Sequence, residues 1–144
     1  MSRNGLDVSE LTDFGQEIVE IATKEMPKVT QSFLRSEATK LKNRAVRKAK
    51  KETKTHTGNY INGFKAGKKV YPHGEYRYNI MVQNSAPHAH LIEHGHDMVN
   101  RAGQKVGTVP GKHILENSAI EFENVFSKDI ETKLASKVIK EMER

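Results

Sequence analysis

The nine residues His88-Ala-His-Leu-Ile-Glu-His-Gly-His96 hold four of the chain's seven histidines and one glutamate. Within them, His90-Leu-Ile-Glu-His94 has the spacing His-x-x-Glu-His. On a helix, two histidines four residues apart share one face and can hold zinc, while the glutamate between them activates a water. Catalytic zinc needs a third protein ligand held in a cleft. No partner of that kind is evident downstream, because every later carboxylate except Asp97 falls in the C-terminal segment that reads as a helix. A structural or interface role for the histidines is therefore the expectation, with no metal, no cofactor and no catalytic residue. His56, His73 and His113 stand near turns and read as solvated side chains.

Other chemistry has less support. There is no cysteine, so no disulfide and no thiolate metal or redox site is possible. No nucleophile elbow or glycine-rich phosphate loop occurs, and no paired carboxylates stand outside the segments that read as surface helices. The expectation is that the chain is not an enzyme.

The charge is uneven. Residues 35 to 54 carry nine Lys/Arg against Glu37 and Glu52, so this segment is +7 and the remainder is −1, for a net charge of +6. A basic stretch on a nearly neutral background is the usual footprint of a polyanion contact. Lys40, Lys42, Arg44, Arg47, Lys48, Lys50, Lys51 and Lys54 are the candidate residues for contact with a polyanion or a protein partner. No helix-turn-helix or zinc finger accompanies them, so any DNA contact would run through phosphates, without sequence preference. This supports a reading as a small nucleic-acid-binding protein.

The elements that must position these residues follow from periodicity. Val8, Leu11, Phe14, Ile18, Ile21 and Ala22 recur at steps of three and four, Pro27 interrupts, and Val29, Phe33, Leu34, Leu41, Ala45, Val46 and Ala49 resume the pattern. The spacing predicts a kinked or two-part helix over residues 8–53, basic in its second half. Residues 57–83 read as strands. Tyr60, Asn62, Phe64 and Ala66 alternate in a first strand. In a second, Tyr76, Tyr78, Ile80 and Val82 face one way and Arg77, Asn79, Met81 and Gln83 the other, the two strands pairing antiparallel. Residues 86–95 read as a short helical turn that Ser85 caps and Gly95 stops. Residues 96–111, with Gly103, Gly107 and Gly111, read as a long exposed loop or hairpin. Over 112–143, Leu115, Ala119, Phe122, Phe126, Ile130, Leu134, Val138 and Met142 mark a long helix with one apolar stripe. The sum is one α+β domain: a long N-terminal helix, a small antiparallel sheet, a short helix, a long loop, and a C-terminal helix packed on the sheet. Neither a signal-peptide run nor a stretch of membrane-spanning length is present.

Three separated pieces resemble one family. They are Thr57-Gly58-Asn59, Ala86-Pro87-His88-Ala89 leading to Ile92-Glu93-His94-Gly95, and Val109-Pro110-Gly111-Lys112 running into the last helix. In this order they are similar to the head-to-tail joining or tail completion proteins, sometimes called minor tail components, of long-tailed bacteriophages and prophages. Thr57, Gly58, Asn59, Ala86, Pro87, Glu93, Gly95, Pro110 and Gly111 carry the resemblance, over about residues 5 to 142. The sequence departs from the pattern at His88 and His94, where aromatics are common, at His96, where threonine is common, and at Lys112-His113-Ile114, where Arg-Pro-Phe is common. The resemblance implies a structural protein of the virion, assembled in the host cytoplasm and seated at the head–tail junction. It also implies a homo-oligomeric ring, often sixfold, between the head connector and the tail tube or terminator proteins. Double-stranded DNA would pass through the centre, with no membrane involved. The segment from His96 to Gly111, with Arg101, Lys105 and Val106, is then the expected docking loop.

Overall fold

The computed structural model describes residues 11–54, 58–72 and 78–143. Helix α1 (Asp13–Glu25) opens on Thr12, whose hydroxyl accepts the amide proton of Gly15. Helix α2 (Pro27–Glu52) begins one residue after Met26, the residue shared between the two helices. Proline at the first helical position lacks only an N–H that would be unpaired there anyway, so Pro27 starts a helix cleanly while preventing α1 from running through. The interrupted periodicity is thus two helices, and Val8 lies outside the described residues.

Helices α1 and α2 pack on each other, and the C-terminal helix closes the bundle. That helix comprises α5 (Ile114–Asp129), a π-helical turn (Ile130–Leu134) and α6 (Ala135–Met142). The π turn has a sequence cause. Phe122, Phe126, Ile130, Leu134 and Val138 are all buried and all four residues apart. On a straight α-helix each such step over-rotates by about 40°, so the stripe would drift off the core. The wider π turn absorbs one residue and brings Val138 back to face α1. Phe33 of α2 stacks on Phe126 at 6.1 Å, and Phe126 on Phe122 at 6.3 Å, at the centre of the core. The C-terminal helix packs chiefly on α1 and α2 and meets the sheet region at its start, where Ile114 joins Phe64, Ala45 and Ala49.

Between the helices lie short strands. A helical turn, α3 (Asn59–Asn62), stands where the alternation of Tyr60 and Asn62 predicted a strand. Asn84 fixes it by donating to the Tyr60 carbonyl at 2.7 Å. Strand β1 (Phe64–Ala66) pairs antiparallel with β4 (Val82–Asn84), and β2 (Tyr71–Pro72) with β3 (Tyr78–Asn79). Ile80 and Val82 are buried while Met81 and Gln83 are exposed, as the alternation requires. Helix α4 (Ala89–His94) follows. Ser85 does not cap it, since its hydroxyl donates to the Gly63 carbonyl instead.

Of the two readings of residues 96–111, loop or hairpin, the fold takes the hairpin. Strands β5 (Gly95–Val99) and β6 (Lys105–Pro110) form an antiparallel hairpin. Its turn is built by Asn100, whose side-chain oxygen accepts the amide protons of Ala102 and Gln104, each at 2.9 Å, and by Gly103 at φ +82°. The signal was in the sequence: Val99 precedes and Val106, Thr108 and Val109 follow a short polar connection that contains Asn100 and Gly103.

Candidate docking surfaces

The hairpin is an arm. It touches the body through α4, and its residues are exposed except for the partly covered Gly95, Gly107 and Val109. Three apolar side chains stand in solvent on it: Met98, Val99 at 63% exposure and Val106 at 61%. Lys105 pairs with Asp97 across the strands at 3.2 Å, and Arg101 sits exposed at the turn. Of the expected docking residues, Val106 and Arg101 are therefore presented outward and Lys105 is partly engaged.

A clasp holds the base of this arm. The Lys112 amide donates to the Ile92 carbonyl at 2.8 Å, and that of His113 to the Glu93 carbonyl at 3.1 Å. The Glu93 carboxylate accepts the amide protons of Leu115 at 2.8 Å and Glu116 at 3.3 Å, capping the first turn of α5. The end of one helix and the start of another thus satisfy each other's unpaired backbone groups. Gly95 adopts φ +81°, and a Cβ there would stand 2.5 Å from the Val109 carbonyl oxygen. A Cβ on Gly111 would stand 2.5 Å from the Glu93 carbonyl oxygen. Glu93, Gly95 and Gly111 are therefore together for packing reasons. Pro110 ends β6 beside them, and Gly58 precedes α3 at φ +74°. Ala86 donates its amide proton to Asn84 at 2.9 Å in the turn that includes Pro87. Asn59 opens α3, and Thr57 lies outside the described residues, as do His56 and His73.

The histidines are dispersed by the same geometry. His94 meets His113 edge to face at 6.4 Å, and His113 Nδ1 lies 3.0 Å from a Glu116 carboxylate oxygen. His113 holds φ +49°. Glu93, His113 and Glu116 are close enough to share an ion, but the Glu93 carboxylate already caps α5 and two of the three residues lie at the surface. His90 is exposed on α4 and not part of that group. Tyr60 is pushed up to about 12 by burial and by the Glu93 charge.

The basic surface is smaller than its sequence. Lys40 donates to Asp129 at 2.6 Å, Lys48 to Glu121 at 2.7 Å, and Arg44 lies 3.7 Å from Glu121. These three cations link α2 to α5. The hydrogen bond from Lys48 holds the Glu121 carboxyl below its usual range. Arg35 donates to the Lys68 carbonyl. Lys42, Arg47, Lys50, Lys51 and Lys54 have no ion-pair partner among the described residues. Beside Lys40, Glu37 is 1% exposed, with one carboxylate oxygen lacking a hydrogen-bond partner. Burial, then the hydrogen bond and charge of Asp129, push Glu37 up to about 8. Burial also pushes Asp129 up, but hydrogen bonds from Lys40 and Glu37 outweigh it and leave Asp129 below its usual range.

Residues 11–95, from the first described residue to the base of the arm, match the family described as "Bacteriophage HK97-gp10, putative tail-component". The chain belongs to this family. The match takes in α1, α2, the short strands and α4, including Gly58, Asn59, Ala86, Pro87, Glu93 and Gly95. It assigns the chain to phage tail components, a structural class, and among the described residues no helix is long and apolar enough to cross a membrane. No curated protein and no solved structure matches.

Proposed function

We propose that the chain acts as one domain, a structural tail-completion protein that joins head and tail. In this reading it sits at the head–tail junction as a ring of identical subunits, of the sixfold order common to such joints. It meets the head connector on one side and the tail tube or terminator on the other, and double-stranded DNA passes through the centre. It does no covalent chemistry and needs no metal. Assembly takes place in the host cytoplasm and the finished position is in the virion.

The observation that carries the reading is the arm. A hairpin with three exposed apolar side chains and two open edges, on a clasped base, contributes little to the core, and such a surface becomes useful when a partner covers it. Membership of a family of phage tail components supports a partner among the other virion proteins. Ring closure needs the same two surfaces to meet around an axis, and weak contacts of that kind are held by simultaneous engagement with a symmetric tail end. The free protein is therefore expected as a folded monomer or small oligomer.

The test is to replace residues 96–110 with a short glycine-containing turn. Helical circular dichroism and melting should stay nearly unchanged, while attachment to tails and formation of infectious particles are lost. If the shortened protein still completes virions, or fails to fold, the docking role of the arm is wrong.

A further inference from the structure

Two unspent charge stripes lie on different parts of the molecule. On α1, Asp13, Glu17 and Glu20 are exposed, follow the spacing i, i+4, i+7, and have no ion-pair partner within the described chain. Exposed Phe14 flanks them, at 51%. On the last turns of α2, Arg47, Lys50 and Lys51 are exposed and equally unpaired, and Lys54 follows just past the helix end. Arg47, Lys50 and Lys51 follow the spacing i, i+3, i+4. The acidic stripe spans about 10 Å along its axis. Residues on one face of a helix at that spacing are neighbours, so each stripe is one continuous field of a single sign.

The two stripes do not serve each other within one chain. Helix α1 packs on the main core with α6 and the π turn, whereas the end of α2 packs on Phe64, Ile114 and the α3 turn in a separate cluster. An isologous pair would seat the acidic stripe of each copy on the basic stripe of the other and stop at two subunits. A heterologous contact brings acid against base and leaves one stripe of each kind free at the ends of the pair.

We propose that successive copies of this chain join head to tail, with the Asp13–Glu17–Glu20 stripe of one seated on the Arg47–Lys50–Lys51 end of α2 in the next. The occupant of each stripe is thus a second copy. This rests on the ring reading and names the surfaces that would close it. The arm stays free for docking to other tail proteins, because neither stripe includes a residue of it.

The test uses charge exchange and the full chain. Sedimentation velocity at low ionic strength and high concentration should show self-association of the parent protein that added salt reverses. Asp13→Lys/Glu17→Lys/Glu20→Lys and Arg47→Glu/Lys50→Glu/Lys51→Glu should each weaken self-association by about tenfold or more. Mixing the two variants should restore it, since each now offers what the other lacks. If a triple variant loses its helical circular dichroism, the single changes Glu17→Lys and Lys51→Glu follow the same mixing logic with a smaller effect. The proposal is overturned if the parent shows no salt-sensitive self-association, if the variants associate as the parent does, or if the mixture gains nothing. Retention of a DNA duplex is measured alongside. Loss of duplex binding in the Arg47/Lys50/Lys51 variant, with self-association unchanged, would give that surface to phosphates and also overturn it. Failure of the mixing experiment leaves tail attachment to be judged by arm replacement, so the two readings fail separately.

Discussion

The helical body and the arm are built on opposite rules. In the body, α1, α2 and the C-terminal helix bury Phe33, Phe122, Phe126, Ile130 and Val138, and even a carboxyl, Glu37, is drawn inside. In the arm, apolar side chains of similar kind, Met98, Val99 and Val106, stand in water. The difference shows that exposure of the arm is not a shortage of apolar residues. Its order is local, supplied by the Asn100 turn, the cross-strand register and the clasp at its base. The body therefore folds for its own stability, while the arm is held in shape for contact.

The sharpest break in this comparison is a truncation on each side. Phe126→Ala should cost about 3–5 kcal/mol in urea unfolding, because it opens a cavity between Phe33 and Phe122. Val99→Ser and Val106→Ser should each stay within about 0.5 kcal/mol, while tail attachment falls. Comparable losses in both regions would mean that the arm belongs to the core.

Next in size is a pH effect confined to the body. Glu37 binds its proton more tightly folded than unfolded, so its contribution is complete below pH 4.5 and is lost as pH rises toward about 8. Asp129 runs the other way: its contribution is present above 3.8 and is lost as pH falls through its lowered value. Melting temperature should decline from pH 5 to 8, and Glu37→Gln, which resembles the protonated form, should flatten that slope. A parent profile that is flat, or that rises, across this window would refute the assignment.

The base and tip of the arm can then be separated. Gly95→Ala should cost about 1–3 kcal/mol, since strain at positive φ is joined by a clash with the Val109 carbonyl. Gly103→Ala has the same sign of φ but open space around it, so about 1–2 kcal/mol is expected. Glu93→Ala should cost about 1 kcal/mol through loss of the α5 cap. Equal effects at Gly95 and Gly103 would remove the distinction between clasp and turn. The smallest expected effect is that of a strong chelator, which should leave thermal unfolding unchanged because the body is held by packing, not by an ion.

Much of the body was legible because long amphipathic helices announce themselves: the break at Pro27 and the stripe from Phe122 to Val138 are visible as spacing. The π turn was not, although the strict four-residue steps that demand it were. Tyr60 and Asn62 mimicked a strand's alternation, and a side-chain hydrogen bond from Asn84, 24 residues away, settles them as a helical turn. The arm was legible only as a loop or hairpin, because an exposed hairpin lacks the buried face that gives strands their alternation. In the basic segment, sequence counts charges, but only the fold pairs Lys40 with Asp129 and Lys48 with Glu121, 89 and 73 residues away.

The clasp also gives the arm a common doorstep. Because the amides of Lys112 and His113 are bonded to Ile92 and Glu93, the chain departs for β5 and returns from β6 at almost the same place. Whatever lies between those points closes a loop that the body does not sense. Hairpins of other length or composition could therefore be exchanged at this position by recombination or by design. Such exchange would give one scaffold new partners while its helices stay as they are.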